Sequence, residues 1–400
     1  MKPVADDATR QTLTSDALSP PNKVISRVRV LILARYGTLG ASSRVRHYAY
    51  IPALERRGFD FETHALIGNE SLSRFYEGKI RRWDRIAKAY CDRAQFARQL
   101  ARFDVIWIEK EAMPNLPWPF ERLYYRRPAA ITIVDMDDLW IERFTDRSMP
   151  KSNSLQILTE TRKLNLLVGA ADAVTVANKS LGSAIKSLSG REAIVQPNCI
   201  DVEDYAAAAE ARDGFEFASS IVKPRIGWIG TPYTASQYLP PLVPLLNRIS
   251  AAGIADIVLI GAGNAVSDLN ATRMDWTFET EASAVASLDI GFMPLGTSGF
   301  DARKSGWKLY QYMSAGRPVV ASRIGFNSEL VEDGVSGFLV DNLEQFEIRL
   351  RELVINPDMC RRFGRAGQKC IRDKFNRNLG ASTLETLFRS LLEKRNLERI

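Results

Sequence analysis

The reading of this chain turns on DARKSGWKLYQYMSAGRPVVASRIGFNSELVEDGVSGFLV, residues 301–340. Trp307, Leu309, Tyr310, Met313 and Ala315 follow a loose helical period, Gly316 ends the helix and Pro318 stops it continuing. PVVAS, residues 318–322, reads as a short strand buried on both faces, as in a parallel sheet. Lys304 and Lys308 stand ahead of and inside the helix start. A helix N-terminus carries about half a positive charge and four unpaired donors. With two lysines beside it, it suits a diphosphate. Local chemistry alone equally allows a solvated helix start in an ordinary α/β domain.

Working outward, residues 28–34 (VRVLILA), 103–109 (FDVIWIE), 130–134 (AITIV), 172–177 (DAVTVA) and 193–195 read as strands. A helix is predicted over 43–57, and Asn178 is placed to cap another. The pattern restarts with PRIGWI (224–229), followed by a long helix through Ile249 and strands at 256–260, 288–293 and 318–322. Alternating strands and helices imply doubly wound parallel sheets, here two α/β Rossmann-like halves joined near 200–222. In the final stretch Leu384, Leu387, Phe388, Leu391 and Leu392 recur at helical spacing.

The order of elements in 301–340 resembles the donor-binding segment of family-4-like retaining glycosyltransferases. The match is carried by Lys308, Gln311, Met313, Gly316, Pro318, Val319, Val320, Ala321 and the DGVSGFLV of 333–340. A weaker resemblance extends over most of the chain from Val28 onward. It implies a GT-B fold of two domains facing a cleft. The expected divisions are a disordered tail (1–26), an acceptor domain (27–200), a nucleotide-sugar domain (201–378) and a crossover helix (379–400). It also implies an enzyme that moves a sugar from a nucleoside-diphosphate sugar to a glycan or lipid-linked acceptor, with the leaving phosphate assisting front-face attack. In the frequent family pattern, two glutamates separated by seven residues would fall at Arg303 and Gln311. An amide oxygen at 311 accepts the same ribose hydrogen bonds without a charge. Asp301 is the candidate to take over sugar contacts.

The site set that follows places Lys304, Lys308 and Asp137 in catalysis, and Gly230, Thr231, Asp301 and Gln311 with the lysines on the donor. Gly230 and Thr231 follow the first strand of the second half, where backbone N–H groups and the threonine hydroxyl can reach a phosphate. Gly37, Gly40, Ser43 and Arg44 form the equivalent loop of the first half, expected to face the acceptor with Asp135 and Asp138. The run Asp135-Met136-Asp137-Asp138 has two other readings: a metal-binding Asp-x-Asp, or a helix cap beside a solvated acid. The two-domain organisation argues against the metal, and Asp137 is assigned to position or deprotonate the acceptor hydroxyl. Gly261-Ala262-Gly263 has Val266 where a dinucleotide fingerprint needs a third glycine, although Glu281 falls about twenty residues on.

Composition narrows the rest. No apolar run approaches the ~18–20 residues that span a bilayer. Met1–Lys23 is polar, without a signal-peptide core, and four cysteines (Cys91, Cys199, Cys360, Cys370) lack metal or redox spacing. A reducing cytoplasm is expected, with no metal and no cofactor. Between Arg74 and Arg102 nine basic residues face three acids, interleaved with Phe75, Tyr76, Trp83, Tyr90 and Phe96. Anionic lipid or a phosphorylated acceptor fits this segment, as does a plain solvated face. No nucleic-acid-binding signature accompanies it. Two rivals remain open: a GT-B protein that binds without turnover, and a nicotinamide oxidoreductase.

Overall fold

A computed structural model describes residues 27–76, 83–125, 130–139, 141, 154–216 and 223–398. The first sheet holds β1 (Val28–Tyr36), β2 (Phe59–Ile67), β3 (Val105–Glu109), β4 (Ile131–Met136), β5 (Ala173–Val176) and β6 (Ile194–Val195). The second holds β7 (Arg225–Ile229), β8 (Asp256–Ile260), β9 (Thr272–Met274), β10 (Ile290–Met293), β11 (Val319–Ser322) and β12 (Gly337–Val340). Their orders are β2-β1-β3-β4-β5-β6 and β12-β11-β10-β7-β8-β9. Every strand pairing is parallel. Parallel strands need crossover helices that cover both faces, which is why β3, β4 and β5 are mostly apolar and buried at every position.

Both sheets place the ends of β1, β3 and β4, and of β7, β10 and β11, at carboxyl edges where open α/β sheets bind ligands. Two stretches of chain join the halves, and they pair with each other at Ile200 and Asn376. The last helix, Arg377–Leu397, returns to the first sheet. Ala381, Leu384 and Phe388 are buried there with Val30, Ile32, Tyr50, Phe59 and Trp107, and Leu387, Leu391 and Leu392 pack at the margin. The crossover stripe therefore closes the core of the first half.

The structure corrects several expectations. β2 and β9 are strands that the apolar pattern does not announce. The predicted 43–57 helix is two short helices, Ala41–Arg46 and Ile51–Glu55, around a tight turn at Tyr48–Tyr50. The long helix to Ile249 is likewise Pro232–Tyr238 and Val243–Ala251, broken at Pro240 and Pro241, because proline lacks the N–H that would continue the ladder. Of the basic segment, Arg93 is an interior residue. Its guanidinium donates to the carbonyls of Ala34, His64 and Ala112, and Ile80 lies outside the described residues.

Candidate active site

On the second-domain side the site begins at Gly306, whose left-handed backbone (φ 66°) starts the helix Trp307–Ser314 with no side chain capping it. Leu309 N donates back to Gly306 O, which leaves the N–H groups of Trp307 and Lys308 for a ligand. Glycine is required there twice over, since a Cβ would also lie 2.7 Å from the Phe326 ring. Close by, Gly325 (φ 50°) passes so near the loop that a Cβ would meet Ala302 O at 1.9 Å. The 301–306 loop is seated on that glycine.

Lys308, half-buried, has no acidic partner among the described residues. Its ammonium lies 4.9 Å from the centre of the Trp228 ring. Burial and the Lys304 charge push its pKa down to about 7. Lys304 Nζ lies over Phe300 (4.4 Å) and Tyr238 (5.3 Å). Two cations over aromatic rings, with no acidic partner for Lys308 among the described residues, form a site that gains stability when an anion arrives. One turn into the helix, Gln311 is buried.

Other donor-side candidates are already engaged. Asp301 accepts from Tyr238 Oη (2.6 Å) and Ser298 Oγ (2.7 Å), so it braces the loop. Gly230 N donates to Ile260 O and Thr231 N to Thr234 Oγ1, while the Thr231 hydroxyl caps its helix. The donors expected to reach a phosphate from this loop are spent on the fold. Gly230 instead makes room, since a Cβ would meet the Trp228 ring at 2.5 Å. At Gly261 a Cβ would lie 2.8 Å from Gly230 O. The glycine pair after β8 thus marks a tight turn.

On the first-domain side, Glu109 at the end of β3 organises the loop after β1. It accepts from Arg35 N (2.7 Å), Ser42 Oγ (2.7 Å) and Ser43 Oγ (2.5 Å). Ser43, expected at the acceptor, is wholly buried in this arrangement. Gly37 and Gly40 shape the same loop, because Cβ atoms would strike Asn69 Oδ1 at 2.2 Å and Tyr36 Cβ at 2.3 Å. Asp135 also points inward: Arg46 grips it with Nε (2.8 Å) and Nη2 (2.6 Å), and Thr175 Oγ1 donates at 2.6 Å. Burial alone would raise the Asp135 pKa, but the Arg46 charge overrides it and holds the carboxyl below its ordinary value. Asp135 is therefore a buried ion-pair partner and not an acceptor contact.

Asp137 and Asp138 remain at the edge, both bound to Lys110 Nζ at 2.7 and 2.8 Å. Lys110 takes a left-handed backbone (φ 59°), an uncommon choice for a residue with a side chain. Burial pushes the Asp137 pKa upward against the pull of Lys110, and Asp138 adds to the rise. The pattern reading missed Lys110 and Tyr205, and noted Glu281 only for its distance from the glycine pair after β8.

Polar contacts join the halves across the cleft. Asn178, after β5, caps its helix through Oδ1 and donates from Nδ2 to Arg303 O (3.0 Å) and Lys304 O (3.3 Å). Arg44 reaches Glu281 Oε2 at 3.3 Å, with its guanidinium over Trp276 and Phe278. The expected acceptor residue Arg44 thus faces the second domain.

Residues 223–356 match the family model described as "Glycosyl transferases group 1". The fold is that of the GT-B glycosyltransferases. Known structures share its two-sheet plan throughout. HepE of Anabaena, crystallised with UDP-glucose, superposes with a TM-score of 0.65, 15% identity, and coverage of 91% of this chain and 100% of that one. Sucrose-phosphate synthase from Thermosynechococcus elongatus gives 0.62, 14%, 92% and 100%. A UDP-forming trehalose-phosphate synthase from Burkholderia xenovorans gives 0.58, 12%, 91% and 99%. A comparison of the sequence with curated proteins finds no match.

Proposed function

We propose that the protein transfers a sugar from a nucleoside-diphosphate donor to a hydroxyl of a glycan or lipid-linked acceptor, with retention and without a metal or cofactor. The observation that carries this reading is the pair Lys304 and Lys308 at an uncapped helix start, with no acid opposite Lys308 and Gln311 one turn further on. The lysines and the free N–H groups stabilise charge developing on the diphosphate as it leaves, which is electrostatic transition-state catalysis. HepE was crystallised with UDP, UDP-glucose and glucose, which favours a uridine nucleotide here as well.

Asp137, at the facing edge, is the group we assign to the acceptor hydroxyl. Retention rests on the likeness of 301–340 to retaining enzymes. We place the acceptor at an anionic cytoplasmic membrane surface, as in building an envelope polysaccharide. Trp83, 73% exposed at the start of the basic helix Trp83–Phe96, supports this placement. No helix among the described residues is long and apolar enough to cross a membrane.

A thermal-shift screen with UDP, GDP, dTDP and their sugars tests the donor. One nucleotide family is expected to raise Tm by mass action, and turnover with acceptor extracts is expected to move its sugar onto the acceptor and release the nucleoside diphosphate. No shift with any of them would remove the donor assignment.

A further inference from the structure

Tyr312 lies on the helix that carries Lys308, one turn further on and on the same face, and it is fully buried. Its hydroxyl enters the second sheet. Oη accepts from Ile229 N at 3.0 Å and donates to Phe292 O at 3.4 Å, so one phenol joins β7 to β10. The pairing of these two strands runs through Ile226–Ile290 and ends at Gly227–Gly291, whereas β7 stays paired with β8 from Arg225 to Ile229. In a parallel ladder the next bond after Gly227–Gly291 would run from Ile229 N to Phe292 O. The Tyr312 hydroxyl stands in place of that bond and satisfies both buried backbone groups.

Gly291 lets the ring in, since a Cβ there would strike it. The split lies between β10 and β7, where the strand order β12-β11-β10-β7-β8-β9 turns back. This is the switch point, at whose carboxyl edge open α/β sheets take ligands. Trp228 sits between Gly227 and Ile229, level with the split, and its ring is the one against which Lys308 Nζ rests at 4.9 Å. Helix, strand and ring are thus tied together. Tyr312 fixes Ile229, the neighbouring Trp228 meets Lys308, and one helical turn leads from Lys308 back to Tyr312.

We infer that Tyr312 is a positioning residue whose hydroxyl holds β7 and β10 apart at their carboxyl ends and so seats the Lys308 ammonium against Trp228 at the donor diphosphate. Contact with the diphosphate rests on the proposed donor; the seating of Lys308 does not. Without the hydroxyl, Ile229 N and Phe292 O are left to bond each other. That closes the split, draws Trp228 toward β10 and releases the ammonium toward solvent. Tyr312 itself needs to touch no nucleotide.

The test uses Tyr312→Phe, which keeps the ring and its volume, with and without Lys308→Met. Urea unfolding between about pH 7 and about pH 10 needs no ligand. Lys304 is the charged group that acts on Lys308, and subtracting the matching Lys308→Met chain isolates the part of the pH dependence that belongs to Lys308. That part is expected to shrink about twofold or more in Tyr312→Phe. Calorimetry with UDP and with GDP, in buffers of different ionisation enthalpy at about pH 8, then reads the site itself. Whichever nucleotide binds the wild type should still bind Tyr312→Phe, with proton uptake cut by about half or more. A Tyr312→Phe chain that is merely less stable, with the Lys308 part of the pH dependence intact, overturns the seating whether or not a nucleotide binds. Undiminished proton uptake overturns it likewise. A reduced pH dependence with no nucleotide bound by the wild type upholds the seating and removes the donor assignment, together with the contact to the diphosphate.

Discussion

The Lys308 ammonium rests 4.9 Å from the centre of the Trp228 ring, an indole that is itself 1% exposed. Burial and the neighbouring Lys304 make the charged form costly, more than the ring's attraction offsets, so the pKa stands at about 7 against an ordinary 10.5. Between those two values the unfolded chain holds more protons than the folded one. Stability therefore rises with pH across that window, and the penalty is complete below about pH 7. Lys308→Met should be more stable than the wild type at pH 7, with the difference shrinking toward pH 10.

An anion beside Lys308 reverses the balance and draws the proton back. Binding of UDP at about pH 8 should take up a proton, read as a dependence of the calorimetric heat on buffer ionisation enthalpy. Lys308→Met should abolish the uptake and lower kcat/KM by on the order of 10²-fold. Binding without proton uptake would place the diphosphate away from this lysine.

Lys110 occupies the space between Asp137 and Asp138 that a divalent cation would need, with its ammonium 2.7 and 2.8 Å from their oxygens. Turnover should therefore survive EDTA. Asp137→Asn should reduce kcat by about 10²–10⁴-fold if that carboxylate handles the acceptor proton, while Asp138→Asn should be milder. Activity lost on chelation and restored by manganese would show that the pair binds metal after all.

How much of this was legible follows the burial of each element. β3, β4, β5, β8 and β10 are apolar at nearly every position, and continuous apolar runs disclose them. β2 and β9 lie at sheet edges, where FDFETHALI and TRM carry charges on solvent-facing positions and lose that signature. The cap at Asn178 and the stripe of the last helix were readable because both are local patterns. At the site, Lys304, Lys308 and Gln311 stand within eight residues of sequence, a loop and the helix that follows it. By contrast, Arg44 and Glu281 are 237 residues apart and meet only through the packing of two domains. Ser43 and Asp135 misled for a related reason: a hydroxyl and a carboxylate at a sheet edge look the same whether they face a ligand or a buried partner. Only Glu109 and Arg46 settle that question, and neither is adjacent in sequence.

Asp135 and Arg46 are each 2% exposed, and Arg46 Nη1 also holds Gln196 O at 2.6 Å and Asn198 Oδ1 at 3.0 Å, in the stretch joining the domains. Asp135→Asn would leave a buried guanidinium without its counter-charge. The expected cost is about 3–5 kcal/mol, measured by urea unfolding. The Asp135 pKa is lowered in the folded state, so its contribution is present above the ordinary carboxylate value of 3.8 and is lost as pH falls through the folded one. The variant should accordingly lose part of the wild type's acid sensitivity. An unchanged unfolding midpoint would show that the pair is worth no more than its desolvation.

Asn178 performs two tasks with one amide: its oxygen caps the helix Lys179–Ser189, and its NH2 holds the loop that carries Lys304. Asp is as good a cap as Asn, so Asn178→Asp should preserve the helix. The same change sets a carboxylate oxygen against the carbonyls of Arg303 and Lys304, which it can only repel. The loop should shift away from the first domain, and kcat/KM should fall by roughly tenfold, with the helical circular dichroism and its thermal midpoint little changed. Asn178→Ala loses the cap as well and should cost about 1 kcal/mol of stability besides. If Asn178→Asp turned over donor at the wild-type rate, the contact across the cleft would be incidental, and the position of Lys304 would depend on Gly325 and Ala302 alone.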